Sequence, residues 1–197
     1  MSHLAKIVIE KEKNERTGRL DLGRCGLKDI PEEVFELTWL EELSFCDEFL
    51  DLTKSKWMNS SNTGPKNHIN VKELPIRFKA LIRLKRFFFG GTFRKHWNSN
   101  KCDILADLEE LQYLYIGFNK ISDINFLEKL TGLQSLCLIN NKISDISILE
   151  KLTGLQSLYL SGNQISDISI LEKLTGLQSL DLIANQISDI SPLLPLI

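Results

Sequence analysis

The stretch LEKLTGLQSL occurs three times in the chain, at residues 127–136, 149–158 and 171–180, with a spacing of 22 residues between copies. Extending each copy outward gives four similar units, which start at Leu111, Leu133, Leu155 and Leu177. A fixed period of this length is typical of a solenoid, in which each unit buries its apolar face only against its neighbours. The repeat therefore decides the fold before any single strand or helix is assigned.

The spacing within one unit predicts a short strand, then a turn, then one helical turn. In the unit that starts at Leu155, the residues Leu158 and Leu160 alternate with polar residues and are predicted to point inward. An asparagine ends the strand in each unit: Asn119, Asn141, Asn163 and Asn185. A buried asparagine stacked on its own copies can bond backbone groups that would cost about 1–3 kcal/mol each if left unpaired. We therefore expect these four residues to form a structural ladder, with Cys25 as the substitute in the first repeat.

The pattern LxxLxLxxNxISDISxLxxLxx resembles the leucine-rich repeat in its 22-residue subclass, which occurs in bacterial internalins and in a eukaryotic phosphatase regulator. The resemblance covers residues 17–197 and is most specific in the last four units. It implies an α/β fold, a right-handed leucine-rich-repeat solenoid of about seven repeats. A parallel sheet would form the concave face, and short helices or turns the convex face.

The first half of the chain departs from the regular period. Residues 1–16 predict a helix, capped by Ser2, that covers the open end of the first repeat. Polar, irregular stretches at 51–70 and 90–101 interrupt the repeat pattern. We therefore predict an N-terminal helical cap at 1–16 and a leucine-rich repeat domain at 17–197 with insertions at 51–70 and 90–101. Long loops in a compact array are places where function is often found.

The sequence offers no set of residues that predicts catalysis. The four cysteines form no CxxC pair and the three histidines are scattered, so we expect no metal and no cofactor. Ser-Asp pairs recur in the last four units, where a turn explains all of them without a catalytic role. We predict that the chain is not an enzyme and has no catalytic residues.

The N-terminal segment is charged and predicts neither a signal peptide nor a membrane span. We therefore expect a cytoplasmic protein without membrane association. The formal net charge of -2 gives no global attraction to nucleic acid.

Strand residues that face away from the core can be aligned as columns, because every repeat contributes the same offsets. One column contains Asp21, Ser44, Phe88, Tyr115, Cys137, Tyr159 and Asp181, and its neighbour contains Arg19, Glu42, Arg86, Tyr113, Ser135, Ser157 and Ser179. Aromatic residues and arginine dominate the energetics of interfaces. The predicted partner-binding residues are Arg86, Phe88, Tyr113, Tyr115, Phe118 and Tyr159. Under the alternative interpretation, Phe88 and Phe118 pack beneath the irregular loops and enlarge the core.

We predict that the chain is a non-catalytic module that binds a protein partner, whose identity the sequence does not give, through the concave face. An alternative comes from residues 20–43, LDLGRCGLKDIPEEVFELTWLEEL, which resemble bacterial leucine-rich repeat proteins, including the repeat regions of Roco proteins. Roco proteins carry a GTPase domain after the repeats. This resemblance implies a regulatory or truncated repeat portion of a Roco-like GTPase system, although the sequence has no GxxxxGK[ST] motif.

Two further surfaces follow from the sequence. The terminal stretch SPLLPLI predicts an uncapped last repeat, which self-association or a further domain would cover. Between Leu74 and Cys102 there are eight basic residues and no acidic one, interleaved with aromatic residues. Such a segment could hold an acidic peptide or single-stranded nucleic acid. We favour a solvated basic loop, because the net charge is near zero, and we do not expect nucleic-acid binding.

Overall fold

The computed structural model describes residues 1–51, 56–69, 73–90 and 102–196. Strands β3 (Glu48–Asp51) and β4 (Lys56–Asn59) pair with each other as an antiparallel hairpin. Seven other strands form one parallel sheet in chain order: β1 (Arg19–Asp21), β2 (Glu42–Ser44), β5 (Arg86–Phe88), β6 (Tyr113–Tyr115), β7 (Ser135–Cys137), β8 (Ser157–Tyr159) and β9 (Ser179–Asp181). The predicted α/β leucine-rich-repeat solenoid is confirmed.

A short 3₁₀-helix follows each coil's turn and lies on the opposite side of the core from the sheet. In the regular coils an aspartate starts this helix: Asp145 Oδ1 accepts the backbone N–H of Ser147 at 2.8 Å. This bond lowers the pKa of the Asp145 carboxyl. The recurring Ser-Asp pairs therefore act in turns. The 3₁₀-helices span Glu32–Glu36, Ile76–Ala80, Asp103–Asp107, Asn125–Lys129, Ser147–Lys151, Ser169–Lys173 and Ser191–Leu196.

Leucines and isoleucines from successive coils form one continuous core between the sheet and the 3₁₀-helices. Leu155, Leu158 and Leu160 are fully buried, as their spacing predicts. On the convex surface, exposed Lys173 pairs with Glu150 of the preceding coil at 2.8 Å. Solvent screens an exposed pair of this kind, so apolar burial supplies most of the stability between coils.

The helix α1 (His3–Glu15) packs onto the first coil. Ser2 caps its first turn by accepting the N–H of Ala5 at 3.1 Å. Glu12 is buried, and its carboxylate accepts the N–H of Gly18 at 2.9 Å and the indole N–H of Trp39 at 2.8 Å. One carboxylate therefore fixes the helix to the beginning of the repeat array.

Asparagines satisfy the backbone groups at the turns of the later coils. Asn163 donates from Nδ2 to the carbonyls of Leu138 at 3.0 Å and Leu160 at 2.8 Å. Its Oδ1 accepts the N–H of Ile143 at 3.0 Å. Side-chain amides at the same position of the other regular coils also donate to carbonyls: those of Asn119, Asn141 and Asn185.

The first coil has Cys25 at this position, and the second coil has Asn67, which follows the insertion in the chain. Asn67 Oδ1 accepts the N–H groups of Cys25 at 3.2 Å and Leu27 at 2.9 Å. Its Nδ2 donates to Leu22 at 2.8 Å and Phe45 at 3.0 Å. The stretch 51–70, predicted as a loop insertion, thus contains both strand β4 and an asparagine that completes the ladder. The insertion predicted at 90–101 lies outside the described residues, apart from Gly90.

Replacing Asn67 by alanine should lower the free energy of unfolding by at least about 3 kcal/mol, because several buried backbone groups lose their partner at about 1–3 kcal/mol each. Its neighbour His68 is exposed, so His68→Ala is the matched control and should change stability by less than about 0.5 kcal/mol. Urea denaturation followed by circular dichroism measures both values. Equal effects of the two substitutions would contradict the ladder role of Asn67.

Candidate functional site

The concave face carries the two columns of residues that the sequence predicts. Backbone pairing aligns Arg86 with Tyr113 and Phe88 with Tyr115 on β5 and β6. The same register runs from β1 to β9, so both columns are confirmed along their whole length. The sheet therefore brings the aromatic residues and Arg86 together at its middle.

The hairpin formed by β3 and β4 lies over the middle of these columns. The ring centroids of Phe49 and Phe88 are 4.6 Å apart. Tyr113 Oη donates a hydrogen bond to the backbone carbonyl of Leu50 at 2.7 Å. Side chains and backbone of the hairpin therefore occupy the central part of the concave face.

Beneath the hairpin lies a second apolar cluster, separate from the main core. We call it the aromatic cluster; it contains Cys46, Leu50, Phe88, Tyr113, Tyr115, Cys137, Ile139 and Tyr159, with Phe49 and Phe118 packed against it. Its members are between 0% and 8% exposed. Four of the six predicted partner-binding residues, Phe88, Tyr113, Tyr115 and Tyr159, are thus interior residues in the folded chain. For Phe88 the structure matches the alternative interpretation, in which it enlarges the core. A role of these residues in binding a partner stays a prediction.

The repeat pattern does not predict that the hairpin covers the aromatic cluster, because the hairpin belongs to the irregular part of the chain. A local signal was present in the sequence. Phe49-Leu50 and Trp57-Met58 are apolar pairs in an otherwise polar stretch. Two short segments with apolar residues, separated by a few residues, can pair as a hairpin.

Arg86 lies at the margin of the aromatic cluster and keeps part of its side chain at the surface. Its guanidinium carbon is 4.8 Å from the ring centroid of Tyr113 and 5.6 Å from that of Phe88. Its Nε is 3.4 Å from Glu42 Oε2, and the side chain is 36% exposed. Two rings and a carboxylate therefore fix the orientation of a cation that solvent, or a partner, can still reach.

Tyr115 is the least well satisfied member of the cluster. Its hydroxyl is fully buried and finds no hydrogen-bond partner among the described residues. Burial raises the pKa of this phenol. A buried hydroxyl without a partner costs about 1–3 kcal/mol. The packing around this hydroxyl therefore leaves one polar group of the aromatic cluster unsatisfied.

Trp57 and Phe118 form an aromatic pair at the rim of the concave face. Trp57 is 51% exposed, and its ring centroid lies 6.0 Å from that of half-buried Phe118. Phe118 has a φ of 59°, a left-handed conformation that costs an L-residue about 1–2 kcal/mol. The equivalent residues of the next coils are left-handed too: Asn140, Gly162 and Ala184. The turn thus imposes a left-handed conformation at this position of these coils. In the coil of Phe118, the residue at this position carries a phenyl ring.

The basic stretch between Leu74 and Cys102 is largely paired with carboxylates of adjacent coils. Arg77 is 2.6 Å from Glu32, and Lys85 is 3.1 Å from Glu41. Lys79 pairs with an aspartate in the same way. These pairs neutralise much of the positive charge that the sequence suggests, which favours the solvated-loop interpretation. Arg86 lies beside Glu42, and Arg83 has no carboxylate partner among the described residues. Three more basic residues, Arg94, Lys95 and Lys101, lie outside the described part of the chain.

The described ranges contain no group of three or more metal-ligating side chains. The four cysteines are free and buried. Burial raises the pKa of the Cys25 thiol to about 12, and that of Cys137 also to about 12, so both stay protonated at neutral pH. In the same ranges, no helix is both long and apolar enough to cross a bilayer.

Two tyrosine substitutions on one strand test the contacts of the hairpin. Tyr113→Phe removes the bond to Leu50 and should lower the free energy of unfolding by about 1 kcal/mol. Tyr115→Phe removes a hydroxyl that is buried without a partner, so stability should stay unchanged or rise by up to about 1 kcal/mol. Urea denaturation of the two variants gives the comparison. Similar losses for both would contradict the described hydrogen bonding.

Comparison with known proteins identifies the repeats. A family model described as leucine-rich repeats (2 copies) matches residues 109–151 and 153–195. No curated protein matches the sequence. Among solved structures, an internalin (inlF) from Listeria monocytogenes is 31% identical with a TM-score of 0.69, over 90% of this chain. This chain spans 45% of the length of that internalin.

Two more distant structures share the fold. Internalin C2 (inlC2) from Listeria monocytogenes is 24% identical with a TM-score of 0.71, over 100% of this chain and 90% of its own. The Arabidopsis receptor kinase HAESA, solved with the peptide hormone IDA and the co-receptor SERK1, is 21% identical with a TM-score of 0.65. That match covers 85% of this chain and 26% of HAESA. The matched repeats, the internalin that is 31% identical and the seven-stranded solenoid show that the chain is a leucine-rich repeat protein.

Proposed function

We propose that the chain is a non-catalytic module that binds a protein partner on the concave side of its sheet. Leucine-rich repeats generally mediate protein–protein interaction, and solenoids use their extended concave surfaces for this purpose. HAESA was solved in a complex with a peptide hormone and a co-receptor. The observation that carries the proposal for this chain is the exposed Trp57 beside Phe118 over the concave face.

Trp57 supports the proposal by its chemistry and its position. It lies on β4, whose other exposed residues are Lys56 and Asn59. A large apolar side chain exposed among polar neighbours is costly to hydrate, and tryptophan is enriched at the energetic centres of interfaces. Phe118, in its left-handed conformation, extends the same apolar surface.

The six predicted contact residues divide into two groups under this proposal. Arg86 and half-buried Phe118 keep surface that a partner can touch. Phe88, Tyr113, Tyr115 and Tyr159 support the hairpin from below. Trp57, which the sequence pattern did not single out, joins the first group. The Roco-like alternative stays a prediction, because no described feature of the fold favours it.

The last coil offers a surface for self-association, which we keep as a proposal. In the described sheet β9 pairs on one side only, with β8. Three large apolar side chains of this coil are exposed: Ile183, Ile190 and Leu194. Unpaired strand edges with apolar neighbours are sites of chain pairing.

Sedimentation velocity over a range of concentrations tests this association. Self-association through the last coil is supported if the wild type dimerises and Ile190→Asp abolishes the dimer. The control Ile76→Asp, on the convex side of an internal coil, should leave the dimer intact. A wild-type chain that stays monomeric at every concentration would contradict it.

Photo-crosslinking from the concave side tests the proposed module. With p-benzoylphenylalanine in place of Trp57, the chain should form a discrete adduct with one protein in the source cells, identified by mass spectrometry. The same probe at Ile76, 68% exposed on a convex 3₁₀-helix, is the matched control and should not capture that protein. Phe118→Ala should reduce the adduct at position 57 by about tenfold, as loss of a central apolar contact does. The same adducts from both positions would contradict concave-side binding.

A further inference from the structure

We propose that the hairpin is a displaceable cover, and that the aromatic cluster beneath it is a binding site for an extended apolar segment of the partner. This inference rests on the proposed function, since it takes the partner to be on the concave side. Beyond the proposed function, it specifies the place where the partner's segment binds, the residue types of that segment, and the part of this chain that competes with the segment.

The solenoid does not depend on the hairpin for its continuity. Strand β2 pairs directly with β5 across the insertion, with Leu43 opposite Phe87. Both residues belong to the main core, whereas the hairpin residue Leu50 belongs only to the aromatic cluster. Removal of the hairpin from the face would therefore leave the sheet ladder and the main core in place.

The base of the hairpin is anchored, so it has a defined point of rotation. The N–H of Ser60 donates to the carbonyl of Asp47 at 2.9 Å, and Ser60 Oγ donates to Asp21 Oδ1 at 3.0 Å. Buried Asp47 in turn accepts the N–H of Arg24 at 2.6 Å. Beyond this base, β3 and β4 form a two-stranded hairpin, a unit that is marginally stable by itself. Movement about residues 47 and 60 would thus uncover the face without loosening the first coil.

The contacts of the hairpin show which ligand the site takes. An aromatic ring, Phe49, packs on Phe88, and the next residue, Leu50, is buried and accepts a hydrogen bond from Tyr113 through its carbonyl. The site therefore fits an extended segment in which an aromatic and an aliphatic residue follow each other. Recognition through one backbone carbonyl and adjacent apolar side chains is a mode that other peptide-binding surfaces use.

Tyr115 gives an external segment an advantage over the resident hairpin. Its hydroxyl is buried and finds no partner in the described part of the chain. A tethered hairpin competes at a high effective concentration, so a partner needs an additional favourable contact to displace it. A segment with a carbonyl or a polar side chain within reach of Tyr115 would make that contact. The rim pair of Trp57 and Phe118 is where such a partner would first meet the edge of the hairpin.

Hydrogen exchange on the unmodified chain tests whether the cover opens. Amides of the hairpin should exchange at least about tenfold faster than those of β7 and β8, through an opening that leaves the sheet protected. Exchange of the hairpin and the central strands at one common rate would show that the hairpin leaves only on global unfolding, and would overturn the proposal.

A peptide added in trans tests the site without knowledge of the partner. We would use a synthetic peptide with the sequence of residues 47–60, labelled with fluorescein. Phe49→Ala in the full chain weakens the cover, so this variant should bind the peptide at least about tenfold more tightly than the wild type does, measured by fluorescence anisotropy. The same peptide carrying Phe49→Ala is the matched control and should bind at least about tenfold more weakly.

The outcomes separate this proposal from the general one. A folded Phe49→Ala chain that binds neither peptide would overturn the displaceable cover, while crosslinking at position 57 could still support the module. The variant could also form a dimer by exchange of hairpins and bind no peptide. That result would likewise contradict the proposal that a segment of the partner occupies the site. Specific peptide binding with no crosslinked partner would retain the site and refute the proposed function. If Phe49→Ala fails to fold, hydrogen exchange on the wild type decides alone.

Discussion

At the turn after each strand, backbone N–H and C=O groups are buried in the protein. The fold depends on the side-chain hydrogen bonds that satisfy these groups. Asn141, Asn163 and Asn185 each bond their own coil and the preceding one, so one side chain both closes its own turn and joins two coils. The leucines give the larger share of the free energy, but leucines alone would tolerate a shift of one coil along another. The asparagines fix the register, because an unpaired buried amide is costly.

The same requirement explains why the insertion is ordered at its base. Asn67 is the turn asparagine of the second coil, and it bonds the N–H of Cys25 in the first coil, 42 positions earlier in the chain. The return segment of the insertion must therefore run beside the first coil. Asp21 holds the neighbouring Ser60 and Asn62. Once that base is fixed, the hairpin of β3 and β4 has only the concave face to pack on.

Packing there changes the character of the surface that solenoids generally use for binding. The middle of the sheet carries phenyl and phenol rings that would be costly to expose, and the hairpin covers them with Phe49 and Leu50. Near the hairpin, the aromatic and cationic side chains that remain accessible include Trp57, Phe118 and part of Arg86. An apolar surface with its own tethered occupant can serve as core in one state and as interface in another. Within it, the buried hydroxyl of Tyr115 finds no partner among the described residues.

The sequence by itself determined the solenoid, the helix at its start, the two concave columns and the position of the asparagines, because each follows from contacts between a coil and the next copy of the same pattern. It also located the aromatic residues at the middle of the sheet. Only the tertiary structure decided that Phe88, Tyr113, Tyr115 and Tyr159 are buried. The hydrogen bond between Tyr113 and Leu50 joins residues 63 positions apart, and one of them belongs to a segment without any period. Periodicity reports what repeats, whereas the hairpin occurs once and separates Asn67 from the strand of its own coil, so the places of both depend on tertiary contacts.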